Sequence, residues 1–224
     1  MEAYGGDLRN LIDKRMDYLK SRMRSNMQDD DATQMMMMPF PYDSTLCMMG
    51  RIATGMKNLC KIGIIHRDLK GSNIFMTPFD YKQKRPILHD SRKVELKEDL
   101  GYDLFLVYVG DYESSDGVVG TGFWRPPEVL KAVKEDMRPT YTTAVDVYGF
   151  GMVCYELLTG HIPFQCEDIR STNYDAVLSG RRPKLPDYLS TRMTELLLKC
   201  WHHDPCQRPT WDEIKETLST ERWS

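Results

Sequence analysis

With 224 residues, 41% of them hydrophobic and 28% charged, the chain has the composition of a globular protein with one real core, or at most two small ones. A formal net charge of -3 gives no reason to expect nucleic acid or an acidic membrane surface as a partner. No window of about 18 apolar residues exists, so no membrane span is expected, and "MEAYGGDLRN" lacks the basic-then-apolar pattern of a signal peptide.

The first element is a helix: Asp7 as N-cap, then Leu8, Leu11, Ile12, Met16 and Leu19 at helical spacing. The acidic, Met-rich, Pro-broken stretch 28–41 reads as an exposed connection. A second amphipathic helix follows, with Leu46, Met49, Ile52, Ala53, Met56, Leu59 and Cys60 on one stripe and Gly63 ending it. Short strands are expected near 64–65, 74–76 and 106–110, and the charged segment 77–103 reads as an inserted surface loop. Beyond Thr142 the chain is mostly helical, with helices at about 142–159, 170–179, 190–201 and 210–220. The first of these, within "VDVYGFGMVCYELLTG", is apolar on every side despite Asp146 and Glu156, and reads as a buried helix. Trp201 and Trp211 are candidate core residues.

The six cysteines (Cys47, Cys60, Cys154, Cys166, Cys200, Cys206) form no C-x-x-C pair and have no zinc spacing. They read as small buried hydrophobes in a reducing compartment, which points to the cytoplasm.

The chemistry concentrates in "HRDLKGSN", His66 to Asn73. Transfer of a phosphoryl group to a hydroxyl needs a carboxylate near the attacking oxygen, positive charge on the phosphoryl, and ligands for Mg²⁺. Asp68 can accept the hydroxyl proton, Lys70 can reach the phosphate, and Asn73 offers a hard amide oxygen for the metal. Their spacing lets one loop present all three.

The stretch resembles the catalytic loop of eukaryotic protein kinases, H-R-D-L-x-x-x-N. Further landmarks follow in family order. "VGDYE" stands where the family has D-F-G, so the resemblance makes Asp111 the second metal ligand beside Asn73. "GTGFWRPPEVL" resembles the segment ending in A-P-E, with Glu128 as its Glu and Thr121 contacting Asp68 and Lys70. Asp146 would hold the catalytic-loop backbone, with His66 and Arg67 as structural support. Arg208, in "CWHHDPCQRPTWDEI", would pair with Glu128 in a buried bridge whose loss costs about 3–5 kcal/mol. "MEAYGGDLRNLI" resembles the hinge between kinase lobes, implying that backbone near Glu2 and Ala3 holds the adenine of ATP.

The resemblance covers nearly the whole chain and is to the C-terminal lobe. It implies a mainly α fold with a few short strands around the catalytic loop, ATP and Mg²⁺ as cofactors, and a protein substrate. Lys70 and Thr121 fit the serine/threonine pattern, with dual specificity left open, and the closing motif looks most like the tyrosine-kinase-like group. The sequence departs from the family in three ways. Residues 1–6 are hinge and 7–221 C-lobe, with no G-x-G-x-x-G before a strand and no V-A-I-K lysine. The missing N-lobe or upstream domains therefore become expected partners, and the chain alone is expected to be inactive. Glu113 replaces the Gly of D-F-G, adding a Cβ and a carboxylate beside the metal ligands. Asn73 and Asp111 stand 38 positions apart, which requires the insertion. Ser114 and Ser115 are candidate phosphorylation sites with Arg67 as partner. The alternative reading is a kinase-like scaffold or binding module without catalysis.

Overall fold

A computed structural model describes residues 6–26, 38–80, 85–86, 105–111, 120–165 and 173–221. The fold is mainly helical, as the sequence implies. Helices α1 (Leu8–Asn26) and α2 (Tyr42–Lys61) precede a small sheet of β1 (Ile74–Asp80), β2 (Arg85–Pro86) and β3 (Phe105–Val109). Helices α3 (Pro127–Lys134), α4 (Thr143–Thr159), α5 (Asn173–Leu178), α6 (Thr191–Cys200) and α7 (Trp211–Thr220) follow.

Helix α4 is the axis of the core. Every residue from Val145 to Leu158 is buried, as apolar residues on every side of the helix predict despite Asp146 and Glu156. It ends at Gly160, whose φ of 74° is the left-handed cap that glycine adopts without cost, and whose N–H donates to the Glu156 carbonyl at 2.8 Å. A Cβ at Gly160 would also strike the Met16 sulfur of α1. Helix α1 turns Leu8, Ile12 and Met16 into the core at successive i,i+4 positions. Its first turn is capped by the Asp7 carboxylate, which accepts from the Asn10 N–H at 2.8 Å. Helix α2 buries Met48, Met49, Ile52, Ala53 and Met56. Leu46, Leu59 and Cys60, assigned to the same stripe, are only partly covered.

Helices α6 and α7 close the lobe. The Ser190 hydroxyl caps α6 and a Thr210–Glu213 capping box starts α7. Trp201 and Trp211 are both in the core, the latter edge-on to Phe150 with centroids 5.5 Å apart.

The sheet has the order β2-β1-β3 and is antiparallel throughout, with Ile74 opposite Val109 and Met76 opposite Val107. The chain before α1 lies along β1 as well: Asp7 bridges to Phe75, and the Met76 N–H donates to the Gly6 carbonyl at 2.9 Å.

Several expectations are corrected. Residues 64–65 form no strand: the Ile64 N–H donates to the Leu59 carbonyl at 3.0 Å, and the His66 and Arg67 amides that follow are bound to the Asp146 side chain instead of a ladder partner. Strand β1 runs on to Asp80 and β2 lies at 85–86, so part of the supposed 77–103 loop is sheet. The rest of that loop, 81–84 and 87–104, lies outside the described residues. The 28–41 connection is not exposed at its end, since Phe40 is 2% exposed and packs in the core. The Arg15 Nε–H donates to the Pro39 carbonyl at 3.1 Å and seats that turn against α1. Cys154 and Cys200 are buried, but Cys206 is exposed. Residues 27–37, 170–172 and Cys166 are outside the described set.

Gly149 lies where α4 passes under the loop preceding β1, and a Cβ there would sit 2.9 Å from the Leu69 carbonyl oxygen. That neighbour is backbone and cannot rotate away. Gly149→Ala is expected to destabilise the protein by about 1–3 kcal/mol, read as a lower urea midpoint with an unchanged slope.

Candidate functional site

The site is assembled from the buried axis outward. Asp146, in the first turn of α4, is 3% exposed. Its two oxygens accept from the His66 N–H at 2.9 Å and the Arg67 N–H at 2.8 Å. Burial pushes its pKa up, while these two amides and the nearby Arg67 favour the charged form. The bonds also hold Arg67 at φ 72°, a left-handed conformation costly for a residue with a Cβ. The Arg67 guanidinium lies over the Tyr141 ring, 5.1 Å from its centroid.

The His66 ring carries the restraint to the sheet. One ring nitrogen, Nε2, is 2.8 Å from the Gly110 carbonyl and must donate to it, while Nδ1 accepts from the Asp68 N–H at 3.3 Å. The tautomer with its proton on Nε2 satisfies both. Gly110 in turn donates its N–H to the Asn73 carbonyl at 3.0 Å, continuing the β1–β3 pairing past Ile74 and Val109. That register brings Asn73 and Asp111 to the same end of the sheet despite the 38 positions between them. Asp111 is exposed, with φ 61°.

Around Asp68 the side chains form a closed set. The Lys70 ammonium donates to Asp68 Oδ2 at 2.6 Å and to Thr121 Oγ1 at 2.6 Å. The Thr121 hydroxyl donates to Asp68 Oδ1 at 2.9 Å. The Asn73 amide nitrogen donates to the Asp68 carbonyl at 2.9 Å and reaches Oδ2 at 3.3 Å. A carboxylate with one neighbouring ammonium and a hydroxyl on its free oxygen is arranged as a proton acceptor. With its nitrogen committed to Asp68, Asn73 has its amide oxygen left for a cation. Asp111 adds an exposed carboxylate, and this pair of hard oxygen donors fits Mg²⁺. Among the described residues no group of three or more His, Cys, Asp and Glu side chains forms a separate metal site.

The platform below the site is pinned by Arg208, whose side chain is fully buried. It holds Glu128 through two bonds of 2.8 and 2.7 Å, and donates to the Ala144 carbonyl at 2.8 Å and the His202 carbonyl at 3.0 Å. The guanidinium also lies over the Tyr148 ring at 5.1 Å. The pair expected from sequence is therefore present, but Glu128 keeps 25% side-chain exposure, so the bridge is less buried than expected.

Asp68, Lys70, Asn73 and Thr121 are brought together, and His66, Arg67, Glu128, Asp146 and Arg208 form the frame around them. Glu2 and Ala3, Tyr112 and Glu113, and Ser114 and Ser115 lie outside the described residues. Sequence reasoning missed Glu156, which entered only as a charge within an otherwise apolar, buried helix. It is fully buried and bonded to three other elements. A lone carboxylate deep in an apolar helix was the available signal.

A helical lobe built on one buried helix, with an H-R-D loop held by that helix and Asn73 and Asp111 at one end of the sheet, has the architecture of a protein kinase domain. The protein tyrosine and serine/threonine kinase family model matches residues 3–218, and the chain belongs to that family. It is 32% identical over 228 residues to a light-sensor protein kinase of Ceratodon purpureus, covering 97% of this chain and 16% of that protein. It is 33% identical to serine/threonine-protein kinase STY17 of Arabidopsis thaliana, covering 80% of this chain and 28% of that protein. It is 32% identical to the dual specificity protein kinase pyk3 of Dictyostelium discoideum, over 77% of this chain and 11% of that protein. The chain thus spans under a third of the length of these relatives. No described helix is long and apolar enough to cross a membrane.

Two outcomes test the frame. Glu128→Ala strands a buried guanidinium but leaves it two carbonyl acceptors, so a loss of about 2–4 kcal/mol is expected in chemical denaturation. Asp146→Asn replaces one acceptor oxygen with an amide NH2, a donor facing a backbone N–H. About 1–3 kcal/mol should be lost, with faster amide hydrogen exchange at His66 and Arg67.

Proposed function

We propose that this chain carries the substrate-side half of a protein serine/threonine kinase site, transferring the γ-phosphate of ATP to a protein hydroxyl. The observation that carries the reading is the Asp68–Lys70–Thr121 triangle with Asn73 bonded into it. In this reading Asp68 takes the proton of the acceptor hydroxyl as its oxygen bonds to phosphorus and the bond to the bridging oxygen breaks. Lys70 steadies the transferred charge, and Thr121 keeps Asp68 and Lys70 in register. Asn73 and Asp111 would hold Mg²⁺, which neutralises phosphate charge when bound. The hinge backbone at Glu2 and Ala3 would hold adenine.

Selectivity for serine and threonine is supported by the Lys70–Thr121 bond and by the printed activity of the Arabidopsis relative. The Dictyostelium relative, printed as dual specificity, keeps tyrosine within reach. The "CWHHDPCQRPTW" closing motif supports placement in the tyrosine-kinase-like group, and the buried Cys154 and Cys200 thiols fit a cytoplasmic site of action.

The 224 residues contain no Gly-rich phosphate loop and no lysine strand, and positioning supplies nearly all of the catalysis in this reaction. The isolated chain is therefore expected to transfer phosphate at a negligible rate. The test is transfer from labelled ATP to casein by the natural full-length protein with Mg²⁺. Asp68→Asn should lower it by about 10²–10⁴-fold. Equal transfer by wild type and Asp68→Asn, or none by either, would sink the reading and favour a scaffold.

A further inference from the structure

Glu156 sits ten positions after Asp146 on α4 and is 0% exposed. Its two oxygens are divided between different tasks. Oε2 takes the Arg9 guanidinium of α1 at 3.1 Å. Oε1 accepts from the Gly71 N–H at 3.2 Å and from the Trp124 indole N–H at 3.0 Å. Gly71 lies between Lys70 and Asn73, and Trp124 lies three residues after Thr121. One buried oxygen therefore ties the loop bearing Lys70 to the turn bearing Thr121, from beneath.

Two further facts say the contact is specific. A Cβ on Gly71 would lie 2.9 Å from Oε2, so the loop approaches the carboxylate as closely as a backbone can. Arg9 is also bound to Asp13 at 2.6 Å and to the Gly160 carbonyl at 2.8 Å, which fixes the counter-charge on the α1 side. Burial pushes the Glu156 pKa up, with Arg9 and the two N–H donors opposing it. A buried acid held this way has no role in proton transfer at Asp68, and its geometry assigns it another.

We propose that Glu156 is a positioning residue: its Oε1 clamps the Gly71 amide and the Trp124 indole together, and so sets the Lys70–Thr121–Asp68 geometry. The proposal rests on the kinase reading above. Because reacting groups displaced by an ångström lose much of their rate, breaking the clamp lowers kcat rather than nucleotide affinity.

The experiment uses the natural full-length protein, with casein as acceptor, and compares Glu156→Gln, Glu156→Leu and Trp124→Phe with wild type. Glu156→Gln keeps an amide oxygen for both donors and should hold kcat within about threefold, whereas Glu156→Leu should lose about 10²-fold with the ATP KM within about twofold. Trp124→Phe removes one donor and should lower kcat by about three- to tenfold. Where Glu156→Leu does not fold, Trp124→Phe decides, and a wild-type kcat for it overturns the proposal. A Glu156→Gln variant as impaired as Glu156→Leu also overturns it, because the charge and not the shared oxygen would then matter. If wild type shows no Asp68-dependent transfer, the kinase reading has failed, and hydrogen exchange by mass spectrometry still judges the clamp. Glu156→Leu, or Trp124→Phe in its place, must then speed exchange in the peptides holding Gly71 and Trp124 together; acceleration in one alone overturns the proposal.

Discussion

The buried carboxylate of Asp146 is the constraint from which the site follows. A charge almost out of reach of water must find donors, and the backbone amides of His66 and Arg67 supply them. Supplying them forces Arg67 into a left-handed conformation and keeps the chain there out of any sheet. The turn then aims the His66 ring at the Gly110 carbonyl, and Gly110 at Asn73. A run of hydrogen bonds thus leads from the axis of the core to the open end of the sheet. Each link fixes the next because each polar group has few alternative partners in the interior.

Helix α4 carries this work at both ends. Apolar packing alone leaves a helix free to slide or rotate by small amounts, since hydrophobic burial has no direction. Asp146 near its start and Glu156 near its end each demand donors from fixed places, and that gives the helix a single register. Between them Gly149 and Gly151 let neighbouring groups approach closely: the Leu69 carbonyl on one side, the Cys200 side chain on another. Arg208 adds a third fixed charge, held by Glu128 and by the Tyr148 ring of the same helix. Whether such buried pairs add net stability is secondary; they select one arrangement of the loops above.

The candidate site was legible because its chemistry dictates residue types at short spacing. Asp68, Lys70 and Asn73 fall within six consecutive positions, so their proximity follows from chain connectivity. Asp146, Glu128 and Arg208 were found only through family resemblance, since nothing local tells a buried anchor from a surface charge. Phe40 was misjudged because two flanking prolines signal a turn without saying which way the residue between them faces. The strand expected at 64–65 failed for a related reason: apolar, β-branched residues favour extended backbone, but a ladder needs a partner strand, and the Ile64 N–H goes instead to the Leu59 carbonyl at the end of α2. Glu156 went unread because burial and bonding are pairwise facts across the fold.

By itself, then, the sequence determined the helical class, the buried axis, the order of the landmarks and the short-range set of Asp68, Lys70 and Asn73. These rest on periodicity and on contacts a few residues long, which the chain enforces locally. That Thr121 meets Asp68 and Lys70 across 53 and 51 positions, and that Arg208 reaches Glu128 across 80, was anticipated through family resemblance and not by the local pattern, and only the tertiary structure decided that one Glu156 oxygen serves both Gly71 and Trp124. Those contacts join groups distant in the chain, and it is the burial of polar atoms, each needing a partner wherever the fold can place one, that selects them.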